Sequence, residues 1–251
     1  MMNPIIEISN LSKQYLHSEH IAVNQLSFSI YEKEIVGIIG PNGAGKTTLI
    51  SMMCGLIKPS TGSIRIYGST YDNNEQRIRQ NIGVVPQDFA LYPTLTAEEN
   101  LIYFGSMCGL KGKELKDKVE ASLEKVGLLE FRNKKISTFS GGMKRRINLL
   151  AGLLHQPKIL FLDEPTVGVD IHSKKKIIEF LKEIHQNGTN IIYTSHHLLE
   201  AEALCTRILI VDNGKILTQG SPQQLIQSIS GAGNLEDVFI TLTGNSLRDV
   251  L

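Results

Sequence analysis

The segment Gly40-Pro41-Asn42-Gly43-Ala44-Gly45-Lys46-Thr47 reads G-x-x-x-x-G-K-T and directly follows the apolar run Ile35-Val36-Gly37-Ile38-Ile39. An apolar strand that ends in such a loop and continues into Thr48-Leu49-Ile50-Ser51-Met52-Met53 is the start of an α/β unit built around a nucleotide. Glycines let consecutive backbone N–H groups converge on phosphate oxygens. The lysine supplies positive charge near the β and γ phosphates, and the threonine hydroxyl can ligate Mg²⁺. A plain Gly-rich turn is the alternative, and the placement between strand and helix-compatible segment weighs against it.

A chain of 251 residues, 41% hydrophobic, can bury a sizeable core; it is long for one domain and short for two full ones. The net charge of +1 advertises no broad cationic field for nucleic acid or an acidic membrane. The three cysteines, Cys54, Cys108 and Cys205, are far apart and lack C-x-x-C spacing, so neither a disulfide framework nor a zinc site is expected, which suits a reducing cytosol. The start Met1-Met2-Asn3-Pro4-Ile5-Ile6-Glu7 lacks the basic region and long apolar stretch of a signal peptide, and no 18 apolar residues run together. The chain itself is not expected to cross a membrane.

Residues from about Ile5 to Ser29 alternate in the strand manner, and Ile35–Ile39, Ser63–Tyr67 and Gly83–Val85 read as further strands. From Thr96 to about Gly127 the period becomes helical. Thr96-Ala97-Glu98-Glu99 is a capping box, and Leu115, Val119, Leu123 and Val126 share a face before Gly127 stops the helix. Lys158–Asp163 and Asn190–Ser195 read as buried parallel strands, separated by a helix with Ile177, Phe180, Leu181 and Ile184 on one side. Asp212-Asn213-Gly214 signals a hairpin, and Ser221-Pro222-Gln223-Gln224 a helix start. Lys174-Lys175-Lys176 and the cluster Lys111, Lys113, Lys116 and Lys118 read as solvated helix faces. His196-His197 does not read as a chelate, because neighbours on an extended chain point oppositely.

A second phosphate-chemistry element is Ile159-Leu160-Phe161-Leu162-Asp163-Glu164, an apolar strand ending in adjacent carboxylates. Ligands in open α/β sheets sit at the C-terminal strand edge, where Asp163 can hold the Mg²⁺ shell and Glu164 can polarise a water for attack on the γ-phosphate. Between the two elements, Ser140-Gly141-Gly142 ahead of Met143-Lys144-Arg145-Arg146 makes a polar helix N-terminus, a second anion site. With one loop committed to this chain's nucleotide, the second site suits a neighbouring chain's ATP.

These elements, in this order, resemble the ATP-binding cassette (ABC) family across nearly the whole chain: Tyr15, the Gly40–Thr48 loop, Gln87, Phe139-Ser140-Gly141-Gly142-Met143, Asp163-Glu164, Val169-Asp170 and Thr194-Ser195-His196. The resemblance implies a phosphate-loop NTPase core with a mostly parallel sheet, an antiparallel β subdomain and a helical subdomain at about 88–156, in one ABC ATPase domain over 1–251. It implies that Tyr15 stacks on adenine and that Gly40, Pro41, Asn42, Gly43, Ala44, Gly45, Lys46, Thr47 and Thr48 hold the phosphates. Thr47, Gln87 and Asp163 would serve Mg²⁺, with Gln87 coupling to a membrane partner. Glu164, His196, Lys46 and Gln87 would be catalytic, His196 at the γ-phosphate. Ser140, Gly141, Gly142 and Asp170 would reach nucleotide across a dimer.

Phe139 and Met143 stand where the common family form has Leu and Gln, and Val167-Gly168-Val169 replaces the usual Ser-Ala-Leu ahead of Asp170. Hydrolysis with altered detail is expected. The Thr94–Leu101 segment, the Ser-Gly-Gly-Met-Lys-Arg-Arg run, Glu200-Ala201-Glu202 and Leu235–Phe239 look like ATPase subunits of ABC-2-type exporters. The chain also ends without the regulatory domain that sugar-importer ATPases often carry. The implied protein hydrolyses ATP with Mg²⁺, pairs with a second ABC ATPase subunit, homodimeric or heterodimeric, and drives integral membrane permease subunits from the cytoplasmic face of the membrane. The competing readings are an importer ATPase, or a non-transport ABC ATPase acting on nucleic acid or ribosomes. The latter would carry a long coiled-coil insertion, zinc cysteines or two cassettes, so no nucleic acid is expected. The segment holding Phe89, Leu91 and Tyr92 is expected to supply an apolar anchor for the membrane partner.

Overall fold

The computed structural model describes residues 4–244; Met1, Met2 and Asn3 of the N-terminal segment read above lie outside them. The chain divides into two compact units, Met1–Ile78 with Asn190–Leu251, and Arg79–Thr189.

The first unit opens with β1 (Ile6–Gln14), β2 (Ile21–Ile30), β3 (Ile35–Ile39), α1 (Lys46–Met53) and β4 (Thr61–Ile66). β1 lies between β2 and β4 in an antiparallel sheet, with Ile6 opposite Ile30 and Ile66, and Ile8 opposite Phe28 and Ile64. All six side chains are buried. The period-2 alternation thus places one apolar face inward, as half-buried strands require. α2 (Tyr71–Asn81), broken at Asn74, carries the chain into the second unit.

In the second unit β5 (Ile82–Val85) pairs in parallel with a later strand, and the stretch between them is helical: α3 (Ala97–Met107), α4 (Gly112–Lys125), two single 3-10 turns and α5 (Gly141–Leu153). β6 (Ile159–Asp163) is that partner, and α6 (Ile171–Gln186) follows it. The capping box at Thr96 forms as read: Glu99 N donates to Thr96 Oγ1 at 3.1 Å, and Thr96 N donates to Glu99 Oε2 at 2.8 Å. Leu101, Leu115, Val119, Leu123, Ile136, Phe139, Ile147 and Leu150 make one apolar cluster.

Two expectations about this region are corrected. The Thr96–Gly127 stretch is two helices, because Gly109, at φ 90, ends α3 with paired bonds from Gly109 N to Ser106 O and Leu110 N to Gly105 O. Gly127 ends α4 in the same way. Leu91 is no surface anchor either: it is 7% exposed and belongs to the helical cluster, while Phe89 and Tyr92 are 40% and 44% exposed.

The chain returns to the first unit as β7 (Asn190–Ser195), α7 (Leu198–Leu204), β8 (Arg207–Asp212), β9 (Lys215–Gly220), α8 (Pro222–Ser228) and α9 (Leu235–Thr243). β3 runs parallel to β7 on one side and β8 on the other, with Ile39 opposite Ser195 and Ile210. Every residue of β3 and β7 is buried, as expected of strands covered on both faces. β9 closes the edge antiparallel through Asn213 and Gly214, both at positive φ.

Candidate functional site

The loop that leaves β3 enters α1 at Gly45, the N-cap, with φ 98 and ψ 6. No side chain caps α1 and its first turn holds no acidic residue, so this protein's own side chains leave the positive end of the helix dipole for an external anion. Gly45 is required twice over. Its φ lies in the left-handed region, and a Cβ there would fall 2.1 Å from the Ala22 carbonyl oxygen of β2. Gly43, at φ 79, instead faces open space, with nothing within 4 Å of an added Cβ. Lys46 is buried and its Nζ curls into the loop, donating to Gly40 O at 2.9 Å and Pro41 O at 3.1 Å. Thr47 is exposed.

Tyr15 follows the end of β1, 47% exposed, with its hydroxyl 3.2 Å from Thr48 Oγ1; the aromatic ring therefore stands beside the end of the phosphate loop. Lys13 Nζ lies 5.5 Å from the ring centroid, a cation–π distance. His196 comes directly off β7, where His197 N donates to Ser195 Oγ at 2.8 Å. The two imidazoles were expected to diverge. They instead pack with ring centroids 4.2 Å apart, because the strand ends at Ser195 and His197 is already the N-cap of α7.

In the second unit, Asp163 ends β6 and Glu164 follows it, both residues buried at 7% and 8% exposed. Glu164 takes φ 46 immediately before Pro165, a left-handed conformation that costs about 1–3 kcal/mol for such a residue. Backbone strain of this kind gathers at working positions. Ser140 is the N-cap of α5, its Oγ accepting from Met143 N at 3.3 Å. Asp170 is the N-cap of α6, its Oδ1 accepting from Ser173 N at 3.0 Å. That amide bond holds the Asp170 carboxyl below the ordinary carboxylate range. The starts of α5 and α6 come so close that a Cβ on Gly142 would meet Ser173 Oγ at 2.6 Å. Two helix N-termini, bearing Ser140 and Asp170, are therefore brought together.

The departures from the common signature fall on the packing side of α5. Phe139 is buried against Phe131, ring centroids 6.3 Å apart, and Met143 packs on the helical cluster. Gln87 is exposed in the segment between β5 and α3. Two buried polar residues of α5 escaped the sequence reading: Arg145 and Asn148, each 2% exposed. Arg145 was seen only within a basic run. The available signal was two polar residues three apart in an otherwise apolar helix interior.

An uncapped helix start built on glycine, a buried lysine curled into it, and a parallel strand feeding the loop define a phosphate-loop nucleotide-binding protein. The chain belongs to the ABC transporter family: the family model described as ABC transporter matches residues 23–167. It is 43% identical over 98% of its length to the linearmycin resistance ATP-binding protein LnrL of Bacillus subtilis, covering 76% of that protein. It is 36% identical over 93% of its length to the Nod factor export ATP-binding protein I of Ralstonia nicotianae, covering 72% of that protein. A dimeric ATP-binding cassette solved in a post-hydrolysis state with ADP and Pi matches 86% of this chain and 98% of its own, at 28% identity and a TM-score of 0.79. This protein is thus an ABC ATPase, the ATP-hydrolysing, nucleotide-binding subunit of an ABC transporter.

Proposed function

We propose that the chain powers export through separate membrane-spanning permease subunits, as a dimer enclosing two ATP molecules at the cytoplasmic face of the membrane. What supports export is similarity, over more than nine tenths of this chain and about three quarters of each relative, to a linearmycin resistance and a Nod factor export ATP-binding protein. Among the described residues no helix is long and apolar enough to span a bilayer, so the hydrolysis energy leaves through a contact surface. The whole chain, 1–251, acts as one ATPase domain, and its helical subdomain at about 88–156 carries that surface. Tyr92 and Tyr103, exposed and 5.0 Å apart between ring centroids, with their hydroxyls bonded at 3.3 Å, are the anchor for a permease helix.

In the hydrolytic reading, Tyr15 stacks on adenine and the backbone of residues 40–48 cradles the phosphates. Lys46 turns its charge from the loop carbonyls to the β and γ phosphates. Glu164 takes up the proton of the attacking water and orients it in line, and His196 steadies the γ-phosphate. Ser140, Gly141, Gly142 and Asp170 address the ATP held by the second subunit. Thr47, Gln87 and Asp163 offer the hard oxygen donors that Mg²⁺ takes. When bound, the cation would neutralise phosphate charge.

Membrane fractionation tests the reading. The wild-type chain should copurify from detergent-solubilised membranes with an integral membrane protein at fixed stoichiometry. The double substitution Tyr92→Asp, Tyr103→Asp should move the chain to the soluble fraction with ATP binding intact. Full membrane retention and normal export by that variant would sink the docking surface.

A further inference from the structure

Arg145 and Asn148 bury polar atoms that the helical cluster does not need. Arg145 Nη1 donates to Pro86 O at 3.3 Å and Nη2 to Val167 O at 3.4 Å, and the guanidinium lies 4.7 Å from the Phe89 ring centroid. Asn148 Nδ2 donates to the same Pro86 O at 3.4 Å, while its Oδ1 accepts from Ala90 N at 3.2 Å. The two side chains therefore hold the backbone on both sides of Gln87, at Pro86 and at Ala90.

The arrangement is a poor way to gain stability. The bonds are long, Arg145 Nε has no hydrogen-bond partner among the described residues, and burial holds the guanidinium pKa below its usual value. Burying a guanidinium costs desolvation that long bonds to two carbonyls only partly offset. What an apolar side chain would not do is fix a loop backbone to α5, whose N-cap is Ser140, or tie the same helix to Val167, which lies between Glu164 and Asp170 in the chain.

We propose that Arg145 and Asn148 are positioning residues for hydrolysis, locking the Gln87 segment and the Glu164–Asp170 segment to the Ser140 helix so that the three take their working places together. The proposal rests on the role given above to Gln87, because the two residues act through it and touch no substrate. Movement of the permease-facing segment is then transmitted to the signature helix by hydrogen bonds to its backbone rather than by general packing.

A double-mutant cycle in steady-state ATP hydrolysis by the purified full chain tests this. Arg145→Ala should lower kcat roughly tenfold with KM for ATP changed less than about twofold, the pattern of a lost transition-state arrangement. Gln87→Ala alone should also lower kcat roughly tenfold, and adding Arg145→Ala to it should cost less than about a further twofold. Full multiplication of the two losses would overturn the proposal, as would a raised KM at unchanged kcat. If Gln87→Ala leaves kcat untouched, the role of Gln87 fails, and that is visible in the single variant before the cycle is closed. Arg145→Lys should stay more active than Arg145→Ala, and equal rates would mean that charge and donors do not matter. Should Arg145→Ala not fold, Asn148→Asp enters the same cycle, since it keeps the acceptor for Ala90 N and loses the donor to Pro86 O.

Discussion

Replacing Gly43 and Gly45 separately by alanine distinguishes the side of the phosphate loop that faces the protein from the side that faces its ligand. Both residues are left-handed, at φ 79 and 98, so an added Cβ costs about 1–2 kcal/mol of backbone strain at either position. At Gly43 the new methyl meets nothing within 4 Å, whereas at Gly45 it falls 2.1 Å from the Ala22 carbonyl oxygen. That contact is with backbone, which no rotamer change relieves, and overpacking of this kind adds about 1–3 kcal/mol. The totals are about 1–2 kcal/mol for Gly43→Ala and about 2–5 kcal/mol for Gly45→Ala. At about 2–4 °C per kcal/mol for a chain of this size, Tm should fall by about 2–8 °C in the first and about 4–20 °C in the second. Scanning calorimetry without nucleotide reads both. Affinity should fall out of proportion to stability in Gly43→Ala, because its methyl enters the open side where the phosphates are proposed to lie. A loss of tenfold or more, about 1.4 kcal/mol, is expected in titration with a fluorescent ATP analogue. Equal Tm losses would refute the steric argument at Ala22, and unchanged affinity in Gly43→Ala would refute the phosphate-facing assignment.

Glu164→Gln should stop turnover while preserving ATP binding and trapping a dimer, visible by sedimentation with ATP and Mg²⁺, whereas Lys46→Ala should lose binding itself; wild-type hydrolysis by Glu164→Gln removes it as the base. Met143→Gln should change hydrolysis by less than about tenfold, on the order of 1.4 kcal/mol in barrier, since the Ser140 cap bonds the backbone of Met143 and not its side chain; Ser140→Arg should be far worse, and a folded but inactive Met143→Gln would contradict this. His155 gives a pH signature. Burial, against the partial opposition of its bond to the Ile82 carbonyl, with the Lys118 charge as a smaller contribution in the same direction as burial, holds its pKa below the ordinary histidine value. The unfolded chain then binds the proton more tightly, so the contribution of His155 is present above the unfolded pKa and is lost as pH falls through the depressed folded one. His155→Gln should flatten that acid limb in urea titrations across pH, and an unchanged slope would exclude His155 as its source.

The readings that held were those made by neighbours in sequence. Gly40–Thr47 after Ile35–Ile39, the Thr96–Glu99 capping box, the stop at Gly127, the turn at Asn213-Gly214 and the cap at Ser221 each depend on a few consecutive residues whose φ preferences and hydrogen-bonding groups act locally. Ordered motifs then placed the chain in its family, because each motif is a short local device. The break after Met107 was missed, although Gly109 signals it, since an apolar pattern that resumes one turn later reads as a single helix.

What the tertiary structure alone decided concerns contacts that the pattern of residues along the chain does not dictate. Leu91 sits in an exposed-looking segment between prolines, yet it is buried in one apolar cluster with Leu101, Leu115 and Phe139. His196 and His197 face each other because β7 gives way to a helix cap between them, which strand geometry could not foresee. Arg145 looked like one charge in a basic run, but its partners are the carbonyls of Pro86 and Val167, 59 and 22 residues away. A sequence states which groups can donate and accept. Only the folded chain states which of them meet, because burial removes water as the default partner and leaves each buried donor to whatever backbone is brought within reach.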